Sequence, residues 1–235
     1  MKIGSIGATG LGLLATLFAC LPASAAERGF YIGGFYGQTD ASLAKAGFDD
    51  LALRVYGSGG FTPETSVSTL DNKSSGYGFV GGYRWLRNLA LEGGYVDLGK
   101  YVYRDQSTGS NFDLNGDQID GVMLGQKLTV KEAGIMLSAL GILPLSYRSE
   151  LYLRGGLLLS SNKISGSIED EFGSFSIGSN TDSDTDFLLG VGASFTVAEI
   201  YAMRLEYLRV LDMGDKNLWG EADVDMVSLG FTVTF

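Results

Sequence analysis

Four charged residues sit inside stretches that are otherwise apolar or small: Glu92, Arg154, Arg204 and Glu206. A charge buried alone costs several kcal/mol, and a cation facing lipid at mid-depth costs about 2–4 kcal/mol. Two acids and two bases brought face to face relieve one another, so the first chemistry on offer is mutual pairing rather than turnover. The usual catalytic parts are missing. The chain has 0 His and its 1 Cys is Cys20, which leaves no base or thiol for Ser-His or Cys-His nucleophilic catalysis. No spacing marks a carboxylate pair for glycoside hydrolysis. The expectation is a non-enzyme without a cofactor.

Acidic side chains elsewhere fall in polar stretches, notably Glu169-Asp170-Glu171 and Asp182-x-Asp184-x-Asp186. Asp113-x-Asn115-x-Asp117 resembles the start of a calcium loop, but Gly116 and Leu124 stand out of place for one. Asp113, Asn115, Asp117, Asp182 and Asp184 are therefore weak cation candidates beside the plainer reading of solvated loops, and no metal site is assigned. The net charge is −10, and no run of Lys and Arg exists to neutralise phosphates. Nucleic acid is disfavoured on that ground, and no such partner is expected.

Before asking what positions the four charges, a leader has to be set aside. Met1-Lys2, the apolar stretch from about Ile3 to Leu21, Pro22 and the small run Ala23-Ser24-Ala25-Ala26 have the three-part layout of a secretory signal. Cleavage is expected after Ala25 or Ala26, leaving 27–235 as one domain with no thiol. An uncleaved anchor is the first alternative, though Gly4, Gly7, Gly10, Gly12 and Pro22 oppose it. The second is a lipid-modified Cys20, for which Phe18 is a poor fit.

Beyond residue 26 no apolar run is long enough for a helical span. Eight segments of roughly ten residues alternate with period two instead. They are Gly29–Thr39, Gly76–Arg84, Leu89–Leu98, Glu132–Leu143, Glu150–Ser160, Asp186–Thr196, Tyr201–Val210 and Asp223–Phe235. Short connections at Trp85–Asn88, Pro144–Ser149 and Val197–Ile200 alternate with long polar ones at about Asp40–Ser75, Gly99–Lys131, Ser161–Thr185 and Leu211–Ala222. That rhythm predicts an all-β, eight-stranded antiparallel up-and-down transmembrane barrel with short periplasmic turns and long extracellular loops. Alternation persists in Val122–Val130, Lys163–Ile168 and Phe172–Ile177, which predicts that the second and third hairpins continue as sheet past the membrane.

Alternation alone does not say which face looks inward; charge does. Leu89, Leu91 and Tyr95 oppose Glu92, Leu151, Leu153 and Leu157 oppose Arg154, and Met203, Leu205 and Tyr207 oppose Arg204 and Glu206. The apolar faces then look to lipid, and the charges meet at one depth in a narrow lumen. The chain's 35 glycines recur in pairs such as Gly81-Gly82 and Gly155-Gly156. They are expected to leave room for the charged heads. Aromatics gather near both predicted rims: Tyr83, Trp85, Tyr147, Phe195, Tyr201 and Phe235 on the turn side, Tyr36, Tyr77, Tyr95, Tyr207 and Trp219 on the loop side.

The closing run Ser228-x-Gly230-x-x-Val233-x-Phe235 resembles the assembly signal that bacterial barrels present to the outer-membrane insertion machinery. With starts such as Gly29-Phe30-Tyr31-Ile32-Gly33-Gly34 and Gly78-Phe79-Val80-Gly81-Gly82-Tyr83, the mature chain resembles the outer-membrane-protein-A-like superfamily of small barrels, including its opacity and adhesin-type members. The resemblance implies residence in the cell outer membrane after export through the periplasm. It further implies a lumen closed by paired charges, lipid and lipopolysaccharide as surroundings, and surface loops that vary with role. No peptidoglycan-binding domain like that of the larger members is expected after the eighth strand. Enzymatic barrels of this membrane resemble one another in depending on a histidine base. A structural or adhesin-like role through acidic loops is therefore expected, with a narrow small-solute channel and a soluble lipocalin-like binder as the alternatives.

Overall fold

Alternating side chains bury one face of a strand and expose the other, and here the exposed face carries the large apolar residues. The computed structural model describes residues 29–112, 117–170, 173–215 and 220–235. Nine strands form one antiparallel sheet. They are β1 Gly29–Ala41, β2 Thr62–Asp71, β3 Lys73–Leu86, β4 Leu89–Phe112, β5 Gln118–Pro144, β6 Ser149–Asp170, β7 Gly173–Ala198, β8 Tyr201–Asp215 and β9 Gly220–Thr234, with helix α1 at Lys45–Ser58.

Eight of them close a ring. From β3 to β9 each strand pairs with the next, and β1 joins β3 on one side and β9 on the other. The closing seam runs from Tyr31↔Thr234 to Ala41↔Val224. Turns are tight at one rim, where β3 ends at Leu86 and β4 starts at Leu89, and β7 ends at Ala198 before Tyr201. Closure leaves no unpaired edge within the ring, which a spanning sheet requires. Among the described residues no helix is long and apolar enough to cross a membrane, so any crossing is made by strands.

Every predicted segment lies within a strand of this ring, except that Phe235 falls one residue past β9, and each predicted outward face is the exposed one. Leu153, Leu205 and Leu229 are 45, 52 and 62% exposed, whereas Tyr152, Arg154 and Ser228 on the opposite faces are buried. Phe30, Tyr83, Trp85, Phe195 and Tyr201 expose their rings near the turn rim, and Tyr36, Tyr77, Tyr95 and Phe187 expose theirs further up the strands. The intervening outward residues are apolar or glycine, as a lipid-facing band requires. Trp219 lies outside the described residues.

The second and third long connections continue as sheet, as their alternation predicted, and the first differs from expectation. β4 pairs with β5 up to Phe112↔Gln118, and β6 with β7 up to Asp170↔Gly173, so both hairpins stand as sheet beyond the apolar band. The stretch Asp40–Ser75 was expected as a loop and instead holds α1 and β2. Only Asn72 separates β2 from β3, and β2 lies on the outer half of β4 from Thr62↔Ser110 to Asp71↔Val102. β2 is polar on both faces, so no period-two signal announces it. It persists because β4 supplies a backbone edge to pair with.

Helix α1 has no side-chain N-cap and no acid in its first turn, so packing rather than end chemistry holds it. Phe48, Ala52 and Tyr56 recur every four residues and are buried with Leu98, Tyr101 and Tyr103 inside the outer mouth. Phe48 stacks on Tyr103 with ring centroids 5.5 Å apart. Tyr103 donates to Asp49 Oδ1 at 2.7 Å and Tyr56 to Asp105 Oδ2 at 2.7 Å. The helix is a stopper seated in the extracellular end.

Candidate functional site in the barrel lumen

Glu92 from β4, Arg154 from β6, and Arg204 and Glu206 from β8 converge inside the barrel. Arg154 is the hub. Its Nη1 lies 2.6 Å from Glu92 Oε2, its Nε and Nη2 donate to Glu206 Oε1 and Oε2 at 2.5 and 3.0 Å, and Nη1 also donates to Ser138 Oγ at 2.8 Å. Arg204 Nη1 donates to Glu92 Oε1 at 2.6 Å. Glu92 and Arg154 are almost wholly buried, with side chains 0 and 2% exposed. Arginine suits the hub because its planar fork can serve two carboxylates at once.

Two tyrosines complete the ring, and neither was foreseen. Tyr31 donates to Glu92 Oε1 at 2.6 Å and Tyr152 to Glu206 Oε2 at 2.9 Å. The Arg204 guanidinium lies over both rings, 4.9 Å from that of Tyr31 and 5.5 Å from that of Tyr152. A cation between two aromatic faces is held by their quadrupoles as well as by its carboxylate. One signal was present in the sequence. Tyr152 sits two residues before Arg154 and so shares its inward face.

The glycines explain the fit, with a partly different occupant. A Cβ at Gly82 would overlap the Tyr31 ring, and one at Gly192 would overlap the Tyr152 ring. Gly190 lies against Glu206 Oε1 and Arg154 Cβ, so here the space serves the charged heads as expected. Crowding leaves little void. A cavity of about 20 Å³ beside Arg154, Arg204 and Gly230 has room for a single water.

Below the ring, Arg84 and Glu150 form a second, bidentate pair, with Nη2–Oε1 at 2.9 Å and Nη1–Oε2 at 3.1 Å. Both are inward residues at strand ends, where a charge in the sequence does not stand out. Above the ring the lumen turns apolar. Val96, Leu158 and Leu208 are buried four residues beyond Glu92, Arg154 and Arg204 on the same strands. From periplasm to exterior the bore therefore passes an ion pair, the ring, an apolar layer and the α1 stopper.

The remaining predicted residues lie elsewhere. Ser228 and Gly230 face inward on β9, with Gly230 close to Arg204 Cβ, while Val233 and Phe235 face outward. Phe235 is 76% exposed at the seam, where its backbone N–H donates to Phe30 O. Asp113 and Asn115 lie outside the described residues. Asp117, Asp182 and Asp184 are exposed, and among the described residues no three His, Cys, Asp or Glu side chains are grouped to hold a metal.

The model of a family described as "Outer membrane protein beta-barrel domain" matches residues 11–235. Among solved structures, the chain is similar to Neisserial surface protein A, at 15% identity and a TM-score of 0.45, covering 88% of this chain and 97% of that one. It is also similar to Ail, the attachment invasion locus protein of Yersinia pestis, at 11% identity and a TM-score of 0.45, covering 89 and 100% of the two chains. The N-terminal β-barrel domain of Pseudomonas aeruginosa OprF aligns at 14% identity and a TM-score of 0.43, over 89 and 100%. No curated protein matches the chain.

Proposed function

The chain belongs to the outer membrane protein beta-barrel domain family and lies in the bacterial outer membrane, and from that premise we propose that it is a closed, non-enzymatic surface protein. Its working parts are then the sheet and stopper beyond the membrane. The bore serves as scaffold.

The observation that carries this reading is the Arg154 hub with Glu92 and Glu206 on either side and two tyrosines packed around Arg204. An eight-stranded interior is just wide enough for side chains to fill, and this one is filled at four successive levels. A conducting path would have to displace all of them. The absence of histidine (0 in the chain) supports a role without nucleophilic catalysis. In this role the outward Leu, Phe and Tyr side chains meet lipid and lipopolysaccharide, and Ser228, Gly230, Val233 and Phe235 are read by the insertion machinery during assembly. The charged quartet is a structural seal.

Planar-bilayer recording tests the proposal. Purified, refolded barrel should show no steady unitary conductance. Reproducible current steps that grow when Arg154 or Arg204 is replaced by alanine would make the chain a narrow channel instead.

A further inference from the structure

Above the apolar layer lies another polar level, where Asp186 shares a hydrogen bond with Ser160 but three other oxygens have no partner. Glu132 on β5, Asn162 on β6 and Asp186 on β7 point inward and are 1, 7 and 4% exposed. Glu132 and Asn162 are direct cross-strand partners, so their side chains stand next to each other. Asp186 is within electrostatic reach of Glu132. Glu132 Oε2, Asn162 Oδ1 and Asp186 Oδ2 are each buried without a hydrogen-bond partner. The Tyr101 hydroxyl, also within reach of Glu132, donates to Leu98 O at 3.2 Å instead.

Apolar side chains close this level along the bore. Met136 and Leu158 lie four residues nearer the periplasm on β5 and β6, Leu188 lies two nearer on β7, and all three are buried. Leu128, Val130 and Ile164 pack on the exterior side. One flank is open. β7 and β8 stop pairing at Phe187↔Leu211, and beyond that point the charges of Asp184, Asp212 and Glu221 reach Asp186.

A buried carboxylate with neither donor nor cation costs several kcal/mol, so something must accompany Glu132. A proton on Glu132 would supply one donor for three orphaned acceptors. All three acceptors are oxygens, two from carboxylates and one from an amide, which is the donor set of a hard cation. We propose that Glu132, Asp186 and the Asn162 carbonyl hold a hydrated divalent cation of the magnesium or calcium type, admitted through the acid-lined gap between β7 and β8. Two carboxylates and an amide leave about half of an octahedral shell to water, and magnesium usually keeps several waters. The site is independent of whether the bore conducts.

Isothermal titration of chelator-washed, detergent-folded barrel with magnesium chloride and, separately, calcium chloride tests it. The expected result is saturable binding of about one ion per barrel, weakened at least tenfold in Glu132→Gln and in Asp186→Asn and severalfold in Asn162→Ala. The loop variant Glu169→Gln/Asp120→Asn, near the outer ends of the hairpins, should bind as the parent does. Folding of each variant is checked by its heat-shifted gel mobility, and any two of the three site variants suffice. No saturable heat in the parent would mean the carboxyls hold protons, and the proposal falls. It falls equally if Glu132→Gln binds normally, or if the loop variant loses the ion.

Discussion

Arg154 Nη1 and Glu92 Oε2 meet at 2.6 Å from strands β6 and β4, reaching past β5 with side chains 2 and 0% exposed. Removing Arg154 leaves Glu92 with Arg204 and Tyr31 on Oε1 but takes the cation from its buried Oε2 and from Glu206. Arg154→Ala is expected to cost about 3–5 kcal/mol, read as a lower temperature or urea concentration for loss of the folded gel band. Unchanged resistance would show that the pair is not sealed.

Gly192 and Tyr152 make a tighter test of the packing. Gly192→Ala pushes a methyl into the Tyr152 ring and should destabilise by about 1–3 kcal/mol. Adding Tyr152→Leu should recover part of that loss, because the shorter side chain vacates the space. Additive losses in the double variant would locate the strain elsewhere.

Orientation toward lipid is checked from the outside. Leu205 is 52% exposed within the apolar band, and Leu205→Arg should cost about 2–4 kcal/mol if it sits near the bilayer midplane. Fluorescent labels at Leu153 and Leu205 should be quenched by brominated lipid, whereas a label at Lys163 on the same outward face of β6 should not. Quenching at Lys163 alone would invert the reading.

The stopper carries a pH dependence. Burial pushes the Asp49 carboxyl up, but hydrogen bonds from Ser68, Tyr103 and Lys45 outweigh it and hold the group below its ordinary value. A lowered carboxyl contributes stability that is fully present above its ordinary value and is lost as pH falls through the lowered one. Amide exchange across Lys45–Ser58 should therefore quicken, relative to the strands, as pH drops below about 4. Asp49→Asn should flatten that response. A helix that stays equally protected at pH 3 in both proteins would remove Asp49 as its anchor.

Much of the ring was legible because a charge inside an alternating apolar strand is conspicuous. Glu92 opposite Leu91, and Arg154 opposite Leu153, admit few placements. Arg84 and Glu150 were invisible by the same logic, since each stands at a strand end where polar residues are ordinary. Tyr31 and Tyr152 escaped notice because a tyrosine fits lipid rims and lumens alike; the spacing of Tyr152 from Arg154, and the glycines Gly82 and Gly192 across from the two rings, are the cues that betray which. The first extracellular stretch was missed for two reasons. Phe48, Ala52 and Tyr56 form a helical stripe only three residues long. β2 has no apolar face at all, and its place depends on β4.

The length of the second and third hairpins bears on what the protein can touch. β5 has 27 residues and β7 has 26, while about ten suffice to traverse a bilayer. At about 3.3 Å per residue the surplus amounts to on the order of 50 Å of ladder. Hydrogen bonding along that ladder makes it a mast rather than a tether. The outer part of the sheet is thereby held at a fixed height and angle above the membrane.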